Sequence, residues 1–483
     1  MNFGFNTAVK GLLASQRSIY IANHNIGNVN TKGYSRQEGF QRATTAFELP
    51  GIGYLGTGTE IYDIQRVRDS YIDFKYWNER APQGEWAAKR GGLYEIEKLF
   101  GEPSNSSFRQ YMDDFYKALE TMSTNPSDPA YREPVRENAL ALTKHINSTA
   151  VRLEQLRKET EVSIETRVKN INSIANQIAS LNRQIYSDEV DGRAANDLRD
   201  RRDLLVDELS QIANVRVNES EDGKYRVSIS GVSIVDHIHV SEIKLEKDEN
   251  DPTKEIKAQW SNGSEVKLRS GELKGLLELY NEDGENNKYR GIPYYQKRLD
   301  EFAKGFADKF NEQHEKGWGL NGKKVDKFFD YDDTKGIAAT ITLSHGILED
   351  LEYIAAAGDE NGSADDNSNL LELINQRENR NFFGSKDEDE DKKVSQGTPD
   401  DFIKSILSNL AVDSMQSQRM YSSQNIMLDN IQSKRDSISG VSYDEEMGDI
   451  VRFQHAYIAS AKMVSTLDTI MDVTINRLGL VGR

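Results

Sequence analysis

Asn23-His-Asn-Ile-Gly-Asn-Val-Asn-Thr-Lys-Gly-Tyr-Ser-Arg-Gln37 follows an apolar helical pattern and holds four Asn, two Gly and one Thr. Asn and Gly tolerate left-handed backbone, and Asn and Thr side chains bond nearby main-chain groups, so this composition spells an ordered turn. A dense turn at that place fixes how the preceding helix leaves the body of the protein. Reading backwards from it, Phe5, Leu12, Ile19 and Ile26 recur every seven residues with Val9 beside them. Gly4, Ala8, Gly11, Ala14, Ser18 and Ala22 form a second stripe at spacings of three and four. A helix with two such faces and few charges is expected to be surrounded, with the small-residue stripe open to assembly.

The far end of the chain mirrors this pattern. Ile450, Tyr457, Val464, Met471 and Leu478 again recur every seven residues with few charges. Two matched apolar heptad segments, separated by some 400 residues, predict that the ends pair as a coiled coil. Charge agrees. The 483-residue chain carries 61 Lys+Arg against 79 Asp+Glu, net −18, yet residues 1–37 contain four bases and no acid. The acidity sits in the middle, as a solvated exterior, and argues against a nucleic-acid partner. There is no Cys, hence no disulfide, thiolate metal site or Cys nucleophile. No charged-then-apolar leader with a cleavage site opens the chain, and no apolar run is long enough to span a bilayer.

Between the ends the periodicity alternates. Phe40–Ile64 reads as extended structure with Gly-rich turns, and Arg68–Phe100 and Ser107–Met122 read as helices. Pro134 suits the first turn of a helix reaching Asp188, about 80 Å long, whose apolar frame slips near Thr160–Ile164. After a charged helix at 194–213 the period switches to two: Val215–Val217, Lys224–Ser230, Val232–Val235, Glu242–Lys247 and Glu255–Trp260 predict a small antiparallel β insertion. Helices return at 271–280 and 292–316, a short strand and helix are expected within 336–357, and 358–400 is loop-like with the acidic run Asp387–Asp391. Pro399–Ile438 is a long helix with Phe402, Ile406, Leu410, Met420, Met427 and Ile431 on its seam.

The fold class is therefore mainly α with an inserted β-rich domain. The expected organisation is a terminal coiled-coil polymerisation domain (1–60 plus 440–483) and a long-helix bundle (61–210, 271–316 and 397–439). A β-rich part lies outermost (211–270 plus 317–396) and carries the acidic loop. No catalytic constellation is visible. His237 and His239 could share a strand face but have no further ligands by spacing, and Asp330-x-Asp332 and Asp359-x-Asn361-x-Ser363 lack the rest of a calcium loop. No metal and no cofactor are expected.

The turn residues Asn25-Ile26-x-Asn28-x-x-Thr31-x-Gly33-Tyr34 resemble the N-terminal motif of the flagellar axial proteins, the family of rod, hook and hook-associated proteins. Three stretches narrow the resemblance to the hook-associated branch. These are Asn196-Asp-Leu-x-Asp-x-Arg-Asp203-x-Leu-Val-x-Glu-Leu209; Phe310-Asn-x-Gln-His314 leading to Phe328-Phe329; and Ser437-Ile-Ser-Gly-Val-Ser-x-Asp-Glu-Glu446 running into Arg452-x-Gln454-x-x-Tyr457. The resemblance implies a non-enzymatic structural protein that polymerises at the junction of hook and filament, outside the cell. It would be exported by the flagellar type III apparatus without a cleaved signal. Its implied partners are further copies of itself, the hook protein, a second junction protein (hook-associated protein 3) and an export chaperone on the C-terminal helix, with neither nucleic acid nor membrane. The implied assembly residues are Phe5, Ala8, Leu12, Ile19, Ile26, Asn28, Thr31, Gly33, Tyr34, Ile450, Tyr457, Val464, Met471 and Leu478. The β-rich insertion that some members carry after the Phe-Phe motif is reduced here. The alternatives are another axial protein of hook or rod, or an intracellular coiled-coil scaffold; a cell-surface enzyme lacks a nucleophile or ligand set.

Overall fold

A computed structural model describes residues 2–51, 53–101, 108–220, 222–247, 255–383 and 397–477. The chain opens with α1 (Asn2–Gly27), then the turn, then a hairpin of β1 (Gln37–Ala43) and β4 (Thr59–Arg66) whose tip is a second small ladder, β2 (Phe47–Leu49) with β3 (Gly53–Leu55). Three helices follow: α2 (Ser70–Phe100), α3 (Phe108–Ser123) and α4 (Pro129–Asp188). The last has 60 residues, about 90 Å of rise. It begins five residues before the expected Pro134. Asp128 caps it by accepting from the Ala130 N–H, and Pro129 occupies the first turn, where no N–H is needed.

The buried seam of α4 is continuous through the region where the apolar frame slipped. Arg157 and Thr160 fill the seam there, both buried. They stand between two cores. One gathers Leu142, Ile146 and Leu153 of α4 with helix residues Phe302, Phe306 and Phe310 and with Phe328, Phe329, Leu370 and Phe382. The other gathers Ile164, Ile171 and Ile178 of α4 with Val206, Leu209, Val227, Ile234 and Trp260.

The second core belongs to α5 (Asn196–Ile212) and the β insertion: β5 (Val215–Glu219), β6 (Tyr225–Ile229), β7 (Val232–Asp236) and β8 (His239–Val240) as one antiparallel sheet, with β9 (Ile243–Glu246) paired to β10 (Lys257–Trp260). Alternation explains the sheet, since Tyr225, Val227 and Ile229 point inward and Arg226 outward. Helix side chains seat it. The Asn172 amide brackets Ile243, donating to its carbonyl and accepting from its N–H at 2.8 and 2.9 Å, and Asn182 donates to the His237 carbonyl at 2.7 Å. His237 sits in the turn with φ +56°, not beside His239 on a strand face.

Helix α6 (Glu272–Asn281) gives Leu273 and Tyr280 to the second core and Leu279 to the first, which is completed by α7 (Ile292–His314), β11 (Phe329–Asp330), α8 (Ile337–Thr340), β12 (Thr342–Leu343), α9 (His345–Glu349), α10 (Ser368–Asn375) and the start of α11 (Pro399–Ser439). Here the structure corrects several expectations. The span 337–343 is one helical turn followed by two strand residues, and 358–400 contains α10, whose Leu370 and Leu373 are fully buried. Segments 211–270 and 317–396 do not form one β-rich unit, because the described part of each packs into a different core. The sheet lies along the half of α4 nearer the chain ends, and residues 317–383 build the opposite end. On α11 the seam passes through Ser417 and Leu428, and Met427 is exposed. The acidic run 387–391 lies outside the described residues.

The Phe310–Phe329 motif has a physical basis. Asn311, buried, accepts from the N–H groups of Phe328 and Phe329 at 2.8 and 2.9 Å and donates to the Phe329 carbonyl at 2.8 Å, holding both rings in the core. One turn on, His314 is fully buried, with Nδ1 on the Asp326 carbonyl at 2.8 Å and Nε2 accepting from Ala355 N at 3.1 Å. Burial pushes its imidazole down to about 4. An exposed His titrates near 6.5, so the folded state binds fewer protons between those values. The stability contribution is fully present above pH 6.5 and is lost as pH falls towards 4, about 3 kcal/mol in all. Urea unfolding between pH 7 and pH 4.5 should show a smaller pH slope for His314→Gln than for the parent chain; equal slopes would contradict this account.

Candidate assembly interface

The last helix, α12 (Tyr443–Asp472), starts after Gly440 ends α11 and Ser442 caps the new N-terminus. It runs antiparallel to α1. A Cβ added to Gly4 would touch Leu467 at 3.5 Å, one added to Gly11 would meet Ser460 at 3.1 Å, and the Asn25 amide donates to Glu446 Oε1 at 3.0 Å. Each step of seven or fourteen along α1 is matched by seven or fourteen along α12. Within the small-residue stripe, Gly4 and Gly11 face α12, where the lack of a side chain lets the helices approach, while Ser18 meets the hairpin.

The other flank of α1 carries the β1–β4 hairpin. Gly39 lies so near Ile21 that a Cβ would stand 2.8 Å from it. Lys10 donates to Thr44 at 3.0 Å, and Gln41 donates to Ser18 at 3.2 Å. The seam residues Ile450, Val464 and Met471, with Phe5, Ala8, Leu12, Ile19 and Ile26, are buried or half-buried within the chain itself, while Tyr457 is 36% exposed and Leu478 lies outside the described residues. What the pair leaves uncovered is different: Leu13 and Tyr20 on α1, and Tyr443, Met447, Val451, Ile458, Met463 and Ile470 on α12.

The turn acts as the clasp of this unit. Asn25 is 1% exposed and uses all its hydrogen-bonding capacity. Its Nδ2 donates to Glu446 and to the Gln37 carbonyl, and its Oδ1 accepts from the Tyr34 hydroxyl at 2.8 Å and the Gln37 N–H at 3.0 Å. One side chain thus joins the end of α1, the exit of the turn and the start of α12. Burial, reinforced by Asp197 and Asp200, keeps the Tyr34 hydroxyl protonated well above its ordinary range, so it donates. Burial likewise raises the Glu446 carboxyl, with the Asn25 bond only partly offsetting it. Asn28 closes the helix by donating to the His24 carbonyl, and Thr31 donates to Asn28. Gly33, at φ +81°, takes a left-handed turn against Leu204.

Directly below, three chain crossings meet the N-terminal half of α5. Ser35 donates from both N and Oγ to Asp200, at 3.0 and 2.8 Å. Arg66 reaches Asp200 and Asp203 at 2.8 and 2.9 Å, and Arg68 reaches Asp73 at 2.6 Å and Asp203 at 3.1 Å. Arg435 of α11 bridges Asp73 and Asp207 at 2.8 and 2.7 Å. Burial works against charge on Asp203, but Arg68 and Arg66 overcome it and hold its carboxyl below the usual range; at Asp207 burial outweighs Arg435 and raises it. The charged run 196–203 is thus a joint between the terminal pair and the rod. Its periodicity signalled a helix, and nothing in its spacing signalled which arginines would arrive. The residues weighed for catalysis form no site, and among the described residues there is no cluster of three or more metal-ligating side chains and no helix long and apolar enough to cross a membrane.

A chain whose first and last helices clasp each other, with a two-core rod folded back between them, is the architecture of a self-assembling structural subunit. Residues 93–329 match the family model of the flagellar hook-associated protein FlgK helical domain, and residues 432–478 match that of the flagellar basal body rod FlgEFG protein C-terminal region. Flagellar hook-associated protein 1 of Bacillus subtilis is 27% identical over 511 aligned positions covering 99% of both chains. That of Escherichia coli is 26% identical over 560, covering 98% of this chain and 99% of its own. The fold is shared with the flagellar hook junction protein FlgK from Burkholderia pseudomallei, at TM-score 0.60 and 14% identity over 76% of this chain and all of that one. Nearly the whole chain is thus similar to the flagellar hook-associated protein 1 (FlgK) family. Alignments longer than the 483-residue chain show that those relatives carry residues with no counterpart here.

Asn25→Ala should leave Glu446, Tyr34 and Gln37 short of partners at a cost of about 1–3 kcal/mol, read as faster hydrogen exchange confined to 26–37 and the start of α12. Asp203→Ala, which takes one of their carboxylate partners from both Arg66 and Arg68, should cost up to about 3–5 kcal/mol in urea unfolding; a loss under 1 kcal/mol would refute the joint as described.

Proposed function

We propose that this protein is the structural subunit of the hook–filament junction of a bacterial flagellum, polymerising through the unit formed by its paired ends. The observation that carries the reading is the clasp. Asn25, Tyr34 and Glu446 come from the two most distant parts of the sequence, lie within the motifs that the axial family shares, and together fix one geometry for α1 and α12. The uncovered apolar side chains on both helices supply the adhesive surface such a subunit needs.

On this reading the neighbours are other copies of the chain, the hook protein on one side and the second junction protein, hook-associated protein 3, on the other. A chaperone covers the exposed face of α12 before export through the flagellar type III apparatus, without cleavage of the chain. The role is mechanical and non-catalytic, and it requires no cofactor.

Removing residues 440–483 should leave a folded rod with both cores intact, because neither core uses a side chain from that segment. Far-UV circular dichroism should retain cooperative melting, and the truncated chain should fail to restore filaments to cells lacking the gene. Filament restoration by the truncated chain would overturn the proposed function.

A further inference from the structure

The β1–β4 hairpin has one face on α1, and among the described residues its other face carries exposed side chains. A two-stranded ribbon is marginal by itself, and its free edges and faces invite a further partner. On the open face Phe40 and Tyr62 stand with ring centroids 6.5 Å apart, and the Arg42 guanidinium lies 5.1 Å from the Tyr62 ring centroid. At the tip Phe47, Tyr54 and Leu55 are exposed, Tyr54 at 76%. Five large apolar side chains thus project from one short ribbon, which lies on α1 beside α12, with Gly39 and Gln41 lining one groove with Arg452 and Phe453. The outer face of α12 is a second uncovered surface, with Met447, Val451 and Ile458 at spacings of four and seven.

We propose that the hairpin of one copy seats its aromatic face and tip on the outer face of α12 of a second copy. Two different uncovered surfaces on one rigid unit define a heterologous contact, the kind that repeats into a ring or helix and does not close as a dimer. Charge favours this occupant. The tip segment 44–58 carries a single charge, Glu48, whereas residues 450–467 of α12 carry no acid and two bases, Arg452, paired to Asp449 at 3.0 Å, and Lys462. Like-on-like packing of two α12 faces would set those bases against each other. The contact rests on the junction-subunit reading and names the surfaces that reading uses.

The chain has no cysteine, so introduced thiols are unique. Full-length Tyr54→Cys and Ile458→Cys, polymerised alone or as an equimolar mixture and treated with a short bis-maleimide, test the contact. The mixture should give cross-linked dimer in at least fivefold excess over either variant alone. Glu48→Lys should lower the polymerised fraction severalfold, and adding Lys462→Glu to the same chain should restore it. Polymers that form normally with no mixed cross-link, or with cross-linking strongest for Ile458→Cys alone, would overturn the hairpin contact and leave the junction role standing. A parent chain that neither polymerises nor restores filaments would remove both.

Discussion

The close approach of α1 to α12 is the constraint on which the molecule depends. Gly4 and Gly11 remove the side chains that would hold the helices apart, and Asn25 closes the end of the pair with four hydrogen bonds in a dry site. An amide that is 1% exposed gains from such bonds because leaving any one of them unmade costs its full desolvation. With α1 and α12 locked, the hairpin has one face on which to lie, and the chain enters and leaves the rod at fixed points.

Those points are where the charges collect. Ser35, Arg66 with Arg68, and Arg435 arrive from three separate parts of the chain at the carboxylates of Asp73, Asp200, Asp203 and Asp207. Buried ion pairs are weak sources of net stability but are severe on misplacement, since a displaced guanidinium leaves a charge without a partner. Such a joint suits a subunit that must present its terminal unit at one angle to the rod. The rod itself is less uniform than a bundle. Its two hydrophobic cores meet at Arg157 and Thr160 on a single unbroken helix, so α4 carries orientation from one to the other.

Much of the architecture was legible in residue order. Heptad spacing at both ends, the switch from a helical to a two-residue period after Asn214, and Gly440 between two long helices each report a local preference that packing did not override. The shared motifs were legible as signatures, but their purposes were not. Asn311 read as part of a family pattern and proved to be a clamp on Phe328 and Phe329. The short α10 escaped because two turns of helix amid Asp, Asn and Gly have no periodicity to detect, and it is held by the buried Leu370 and Leu373. The small-residue stripe was read as an outward face because smallness signals close approach without saying to what.

The sequence alone determined the class: a mainly helical chain with an inserted sheet, ends that must pair and no thiol chemistry, since these follow from composition and periodicity. Only the tertiary structure decided which face of α1 meets α12, that the slip in α4 divides two cores, and that an aspartate-rich helix start is a joint. Those outcomes depend on which distant side chains share a buried site, and residue order does not encode that separation in space until the chain is folded.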